Sequence, residues 1–92
     1  MLSSIALGAQ GDAYMELGDK SKAASFYSKA AMANTNDFTS PIYLMKAGMA
    51  YEAIGEYKDA LNAYKTIKKD FSKTQEGAEV QKYIARVETF IN

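Results

Sequence analysis

The sequence predicts an all-α protein, two helix hairpins in tandem with a fifth helix closing the stack. Three observations carry this. Gly11, Tyr14, Gly18, Ala23 and Tyr27 recur as Gly48, Tyr51, Gly55, Ala60 and Tyr64, each pair 37 residues apart. Five co-registered matches of small and aromatic residues mark an internal repeat, and a repeat of this length is one helix–turn–helix unit of a solenoid. Second, Gly18 and Gly55 fall where a helix should stop. After Gly55, Glu56 and Asp59 supply carboxylates to the free N–H groups that open the next helix. Third, Ala23, Ala24, Tyr27, Ala30 and Ala31 form an apolar stripe at helical spacing.

The elements follow in order. Ser3 or Ser4 caps a first helix over about 4–17. That helix opens almost at the first residue, with no polar segment to shield its outer face. Solenoids carry polar caps at both ends, so further helices are expected before Met1 in a longer native chain. Gly18 and Asp19 turn the chain into a second helix over about 20–34, whose small Ala residues let two antiparallel helices approach while Tyr14 and Tyr27 fill the remaining volume. The connector 34–40 holds the extra residues of the long period, and Phe38 is placed to cover the entry to the next helix. Ser40 and Pro41 read as a hydroxyl cap and a proline at the first helical position. The third helix then runs over about 41–54 and the fourth over about 57–70. Lys65, Lys68 and Lys69 crowd the end of the fourth helix, where the helix dipole accounts for them without a phosphate site.

Ser72 and Gln75 fit a capping box, with Thr74 the competing cap. The last helix, about 75–91, carries Val80, Tyr83, Ile84, Val87, Phe90 and Ile91 on one face and Gln81, Lys82, Arg86 and Glu88 on the other. It lacks the repeat signature and reads as a capping helix, apolar inward and polar outward. The chain is thus one domain, with repeats over about 4–37 and 41–74 and a cap over about 75–91.

Composition narrows the function. At 92 residues, 48% hydrophobic and 24% charged, the chain has the make-up of a soluble globular domain. Lys plus Arg and Asp plus Glu number 11 each, so there is no electrostatic footprint for nucleic acid or an anionic membrane. There is no Cys, hence no disulfide or thiolate chemistry, and no His, the usual general base and commonest metal ligand. No run of 18 apolar residues occurs, and residues 1–10 lack the basic start and apolar core of a signal peptide.

Asp12 and Glu16, four apart on one helix face, are the sole carboxylate pair with a geometry suited to general acid–base work. No nucleophile, metal set or phosphate loop accompanies them. Gly8 to Gly11 lies within a helical pattern and follows no strand, so it is not a phosphate loop. Met45 and Met49, also four apart, make no cofactor box. The expectation is a non-enzyme without cofactor or metal.

At the repeated residues the chain resembles the tetratricopeptide repeat family. The family pattern places a small residue three before a Tyr (Gly11 and Tyr14, Gly48 and Tyr51), a Gly at the turn (Gly18, Gly55) and an Ala early in the second helix (Ala23, Ala60). An aromatic follows (Tyr27, Tyr64), then a small or apolar residue (Ala30, Ile67). The aromatic that often opens the second helix is Tyr57 in one copy and Lys20 in the other; the leading Trp is replaced by Leu7 and Leu44, and the closing Pro by Thr35 and Ser72. The resemblance implies a right-handed superhelical stack whose first helices form a concave groove. Carried over by position, that groove takes Ile5, Gly8, Ala9, Asp12, Met15 and Glu16 from the first repeat. From the second it takes Ile42, Met45, Lys46, Met49, Glu52 and Ala53.

A Met-rich groove with acids on its wall suits an apolar or adaptable peptide, although each of Met15, Met45 and Met49 is equally suited to filling the core. Some family members grip acidic C-terminal peptides of chaperones with Lys, Arg and Asn. The matching places here hold Gly8, Asp12 and Met49, with Lys46 the one base, so that clamp is not expected. The implied function is a non-catalytic module that holds a partner's peptide or helix, without nucleic acid or membrane insertion. Self-assembly into a homo-oligomer through the exposed first helix, Ile5 included, is the second reading, because two repeats fall short of the three or more such arrays need. An enzyme using Asp12 and Glu16 stands a distant third. Residue usage resembles bacterial members, several of which serve envelope assembly, which implies a periplasmic or cell-envelope scaffold.

Overall fold

The computed structural model describes residues 3–91. Five helices follow one another, α1 (Ser4–Glu16), α2 (Lys20–Ala33), α3 (Thr39–Ala53), α4 (Tyr57–Asp70) and α5 (Gln75–Ile91), with no strand among the described residues. Each packs on its sequence neighbour, and α5 also touches α3. The result is a slab of 36 × 29 × 16 Å, about the thickness of two helices packed at the usual separation of roughly 8–10 Å.

Both hairpin turns close in the same way. Gly18 and Gly55 take positive φ values of 84° and 78°, the left-handed conformation that glycine enters without a Cβ penalty. In each turn the next residue's N–H, from Asp19 or Glu56, donates back to the carbonyl of Tyr14 or Tyr51 at 2.9 Å. Asp19 also accepts the Lys22 N–H and so caps α2, whereas Glu56 makes no such bond.

Past each turn the two helices meet through a glycine and a tyrosine. The Tyr27 ring lies where a Cβ on Gly11 would stand, at 2.6 Å, and Tyr64 occupies the same place over Gly48. The stripe anticipated for α2, Ala23, Ala24, Tyr27, Ala30 and Ala31, is buried in full. With Ala47 and Ala50 of α3 part of it forms one cluster; Leu44, Tyr64, Ile67, Val80, Ile84 and Val87 make a second, larger one around α4 and α5.

Several local expectations are corrected. Helix α3 begins at Thr39, not at Pro41, because the Asn36 side chain accepts the N–H groups of both Phe38 and Thr39 at 2.8 Å and starts the helix from upstream. Ser40 is therefore no cap. It is buried and joins α2 to α3, its hydroxyl donating to the Ala31 carbonyl at 2.9 Å and accepting the Asn36 N–H at 3.0 Å. Phe38 covers nothing, being 84% exposed. At α5 the cap is Thr74, whose hydroxyl accepts the Gly77 N–H and donates to the Phe71 carbonyl; Gln75 bonds Glu79, so the Ser72 box is absent. Phe90 lies 57% exposed, against the flat face of Tyr57 and not in the core. At the other end Ser3 and not Ser4 caps α1, by accepting the Ala6 N–H.

The glycine contact gives a measurable consequence. Gly48→Ala gains about 1 kcal/mol of helix propensity but forces a methyl into a fully buried ring that cannot swing away, at a cost of about 1–3 kcal/mol. Urea unfolding is expected to show a net loss for Gly48→Ala. Gly8→Ala meets the Tyr43 ring, which is only partly buried, and should cost less stability than Gly48→Ala. A Gly48→Ala protein more stable than the parent would remove the close approach as a constraint.

Candidate functional site

Helices α1 and α3 share a face, held together by Asp12 and Lys46, whose side chains pair at 3.2 Å. The Tyr27 hydroxyl, reaching over from α2, donates to the same Asp12 oxygen, and the Lys46 ammonium lies 5.5 Å from the Tyr27 ring. A parallel set joins α3 to α5. Tyr64 donates to Glu52 at 2.6 Å, and Arg86 grips both Glu52 oxygens at 3.0 and 2.7 Å. Such a fork is a stronger hold than a single ammonium contact, and the Glu52 side chain is only 15% exposed.

These contacts set the protonation states. The Tyr27 hydroxyl, chiefly, and Lys46 hold the Asp12 carboxyl below its ordinary value, against a smaller opposing push from burial. Burial first, then the facing carboxylate, raises the pKa of Tyr27 and of Tyr64 well above the ordinary tyrosine range. Asp12 is thus a fixed anion with two donors on it. Glu16, on the same helix, remains exposed and joins none of these contacts. The two do not converge as an acid–base pair, and among the described residues no group of three acidic side chains is placed to hold a metal ion.

The residues expected to line a groove do not stay together. Met15, Lys46, Met49 and Ala53 come together, with Lys20 and Tyr27, around a depression of about 350 Å³ between the first hairpin and α3. Met49 is 49% exposed there, while Met15 rests partly on the first core cluster. Met45 packs partly on the second cluster, so it serves as core filler as much as surface. Glu52 is engaged by Tyr64 and Arg86. Ile5, 71% exposed, and Ile42 stand on the surface outside the depression. Gly8 is buried beneath the Tyr43 ring, while Ala9 is exposed.

Four participants escaped the sequence reading, among them Ala50 of α3, which also lines the depression. Lys20 and Tyr27 line the depression although both belong to α2, and Arg86 reaches Glu52 although it was assigned to the outer face of α5. A signal was present: Lys46 follows Asp12, and Arg86 follows Glu52, by the same 34 residues.

Residues 5–37 and residues 43–74 each match a family described as tetratricopeptide repeat. Among curated proteins and among solved structures nothing matches. No helix among the described residues is long and apolar enough to cross a membrane.

The titrations have definite signs. Asp12 has a lowered folded pKa, so the stability it contributes is present above its ordinary value of 3.8 and is lost as pH falls through the lowered one. Its side chain is more than half exposed, and solvent screening keeps the effect small. Between about pH 6 and about pH 2, urea midpoints should fall more for the parent than for Asp12→Asn; equal slopes would contradict the assignment. At the alkaline end the raised pKa values of Tyr27 and Tyr64 act in the opposite direction. The unfolded chain ionises first, so stability declines as pH rises above the ordinary 10.0. Ultraviolet titration of the seven tyrosines should show two that ionise only with unfolding, and Tyr27→Phe and Tyr64→Phe should each remove one.

Proposed function

The chain belongs to the tetratricopeptide repeat family, whose repeats generally mediate protein–protein interaction, and from this we propose that the face of α1 and α3 holds a peptide or helix of a protein partner. The observation that supports this reading is the depression at the joint of the two repeats. It combines half-exposed thioether and methyl groups with ammonium groups on one surface, the mixture of apolar bulk and a few placed polar groups by which clefts bind ligands. Flexible Met side chains adapt to an extended or helical ligand without a rigid fit. Asp12, tied to Tyr27 and Lys46, keeps the neighbouring wall in one geometry, so less order must be imposed on binding.

Ile5 favours a second reading. A large apolar side chain 71% exposed on the first helix, with Ile42 also exposed, gives a second copy of the chain an apolar surface to bury.

One set of variants separates the two. Peptides selected from a displayed random library on the parent protein should bind Met49→Glu at least about tenfold more weakly, with the thermal midpoint unchanged because that side chain is half exposed. Ile5→Asp should leave such binding intact. Light scattering over a concentration series should give the 10.1 kDa monomer for all three proteins. A dimer that Ile5→Asp dissociates, with no peptide sensitive to Met49→Glu, would replace the groove reading by self-association.

A further inference from the structure

The depression has a counterpart 37 residues on, where the equivalent positions carry stacked rings. Lys20 corresponds to Tyr57 and Ala53 to Phe90, and in the structure Tyr57 and Phe90 stack with centroids 4.5 Å apart and planes within 9°. The equivalence is spatial as well as sequential. Lys46 stands 5.5 Å from the Tyr27 ring, and Tyr83, 37 residues after Lys46, stands 5.5 Å from the Tyr64 ring. Met15 and Met49 correspond in turn to the bonded pair Glu52 and Arg86. The two junctions therefore share a floor, the tyrosine ring over its glycine, and differ in what lies on it. The second carries two stacked rings and a forked ion pair; the first carries neither.

What is left open at the first junction measures about 350 Å³, against the about 150 Å³ that suffices to hold a benzene ring. Its walls suit a ring. Met15 and Met49 offer sulfur, which contacts aromatic edges favourably, and Ala53 leaves vacant the position Phe90 occupies in the other junction. The charged side chains on the wall are Lys20 and Lys46, both cations. Lys46 is paired with Asp12, and Lys20 forms no ion pair among the described residues.

We propose that this depression takes an aromatic side chain of the partner peptide, flanked in the peptide by carboxylates that meet Lys20 and Lys46. The proposal rests on the groove reading above and specifies its ligand: a Phe, Tyr or Trp beside Asp or Glu. The guest supplies the ring that α5 supplies to the second junction, and its acids answer the exposed ammonium groups.

The test uses the whole chain, isotope-labelled at its methionine methyl groups, titrated by NMR with three N-acetylated, C-amidated tripeptides: Asp-Phe-Asp, Asp-Ala-Asp and Lys-Phe-Lys. Asp-Phe-Asp should shift the Met15 and Met49 signals saturably. The other two should bind at least about tenfold more weakly. Writing the second junction into the first, Lys20→Tyr with Ala53→Phe, should abolish the response while the thermal midpoint holds or rises. Lys20→Glu, at an exposed position that leaves folding intact, should reverse the preference between the two Phe peptides. Equal binding of Asp-Phe-Asp and Asp-Ala-Asp, or full binding by the filled variant, overturns the aromatic subsite. Shifts confined to Met45, outside the depression, overturn it too but leave the groove reading standing, and that reading falls separately if library peptides ignore Met49→Glu.

Discussion

A tyrosine ring set directly on a glycine is the contact from which the rest of this structure follows. Tyr27 on Gly11 and Tyr64 on Gly48 bring two helices closer than any side chain at the glycine would allow. The approach fixes more than a distance. It points each phenol at a carboxylate of its hairpin's first helix, Asp12 or Glu52, and each carboxylate then takes a cation from the helix that follows the hairpin, Lys46 of α3 or Arg86 of α5. Packing inside a hairpin thus determines how that hairpin joins the following one. Solenoids are stabilised by such nearest-neighbour terms, and here the term runs through a single oxygen-rich link on one face.

Much of the fold was legible because backbone rules leave regular marks. Glycine at both turns, an alanine-rich stripe and a repeated tyrosine identify the hairpins, and the five helices lie where the periodicity placed them, four with ends within a residue or so of expectation. What escaped was decided by competition between side chains a few positions apart. Ser40 before Pro41 is a strong local cap signal, yet Asn36 outbid it because its carbonyl reaches two N–H groups at once. Thr74 displaced Ser72 for a similar reason, its hydroxyl both accepting from Gly77 and donating to Phe71. The site was legible only in part, since an inherited period of 37 records equivalent backbone positions. The bonded pairs Asp12 with Lys46 and Glu52 with Arg86 span 34 residues instead, stepping from one helix face to the next.

The two junctions also differ in what holds them. The cluster around α4 and α5 is built from Tyr64, Ile67, Val80, Ile84 and Val87, large side chains with much apolar surface. The cluster of the first hairpin is mostly alanine around one tyrosine. Burial free energy scales with apolar area, roughly 25 cal/mol per Å², so the first hairpin is held more by close approach and polar links than by bulk. The face proposed to accept a partner stands on that lighter half.

Because every helix packs chiefly on its neighbour in sequence, few contacts require distant parts of the chain to find each other. Contact order is low, loop-closure entropy is small, and nothing in the topology slows assembly. The uneven clusters then give assembly a direction. The apolar α4–α5 pair gains most from early collapse, and α3 can be added to it before the alanine-lined hairpin joins. On that account the first two helices should be the unit that opens most readily in the native state, and exchange of their backbone amides should report openings that the rest of the chain does not share.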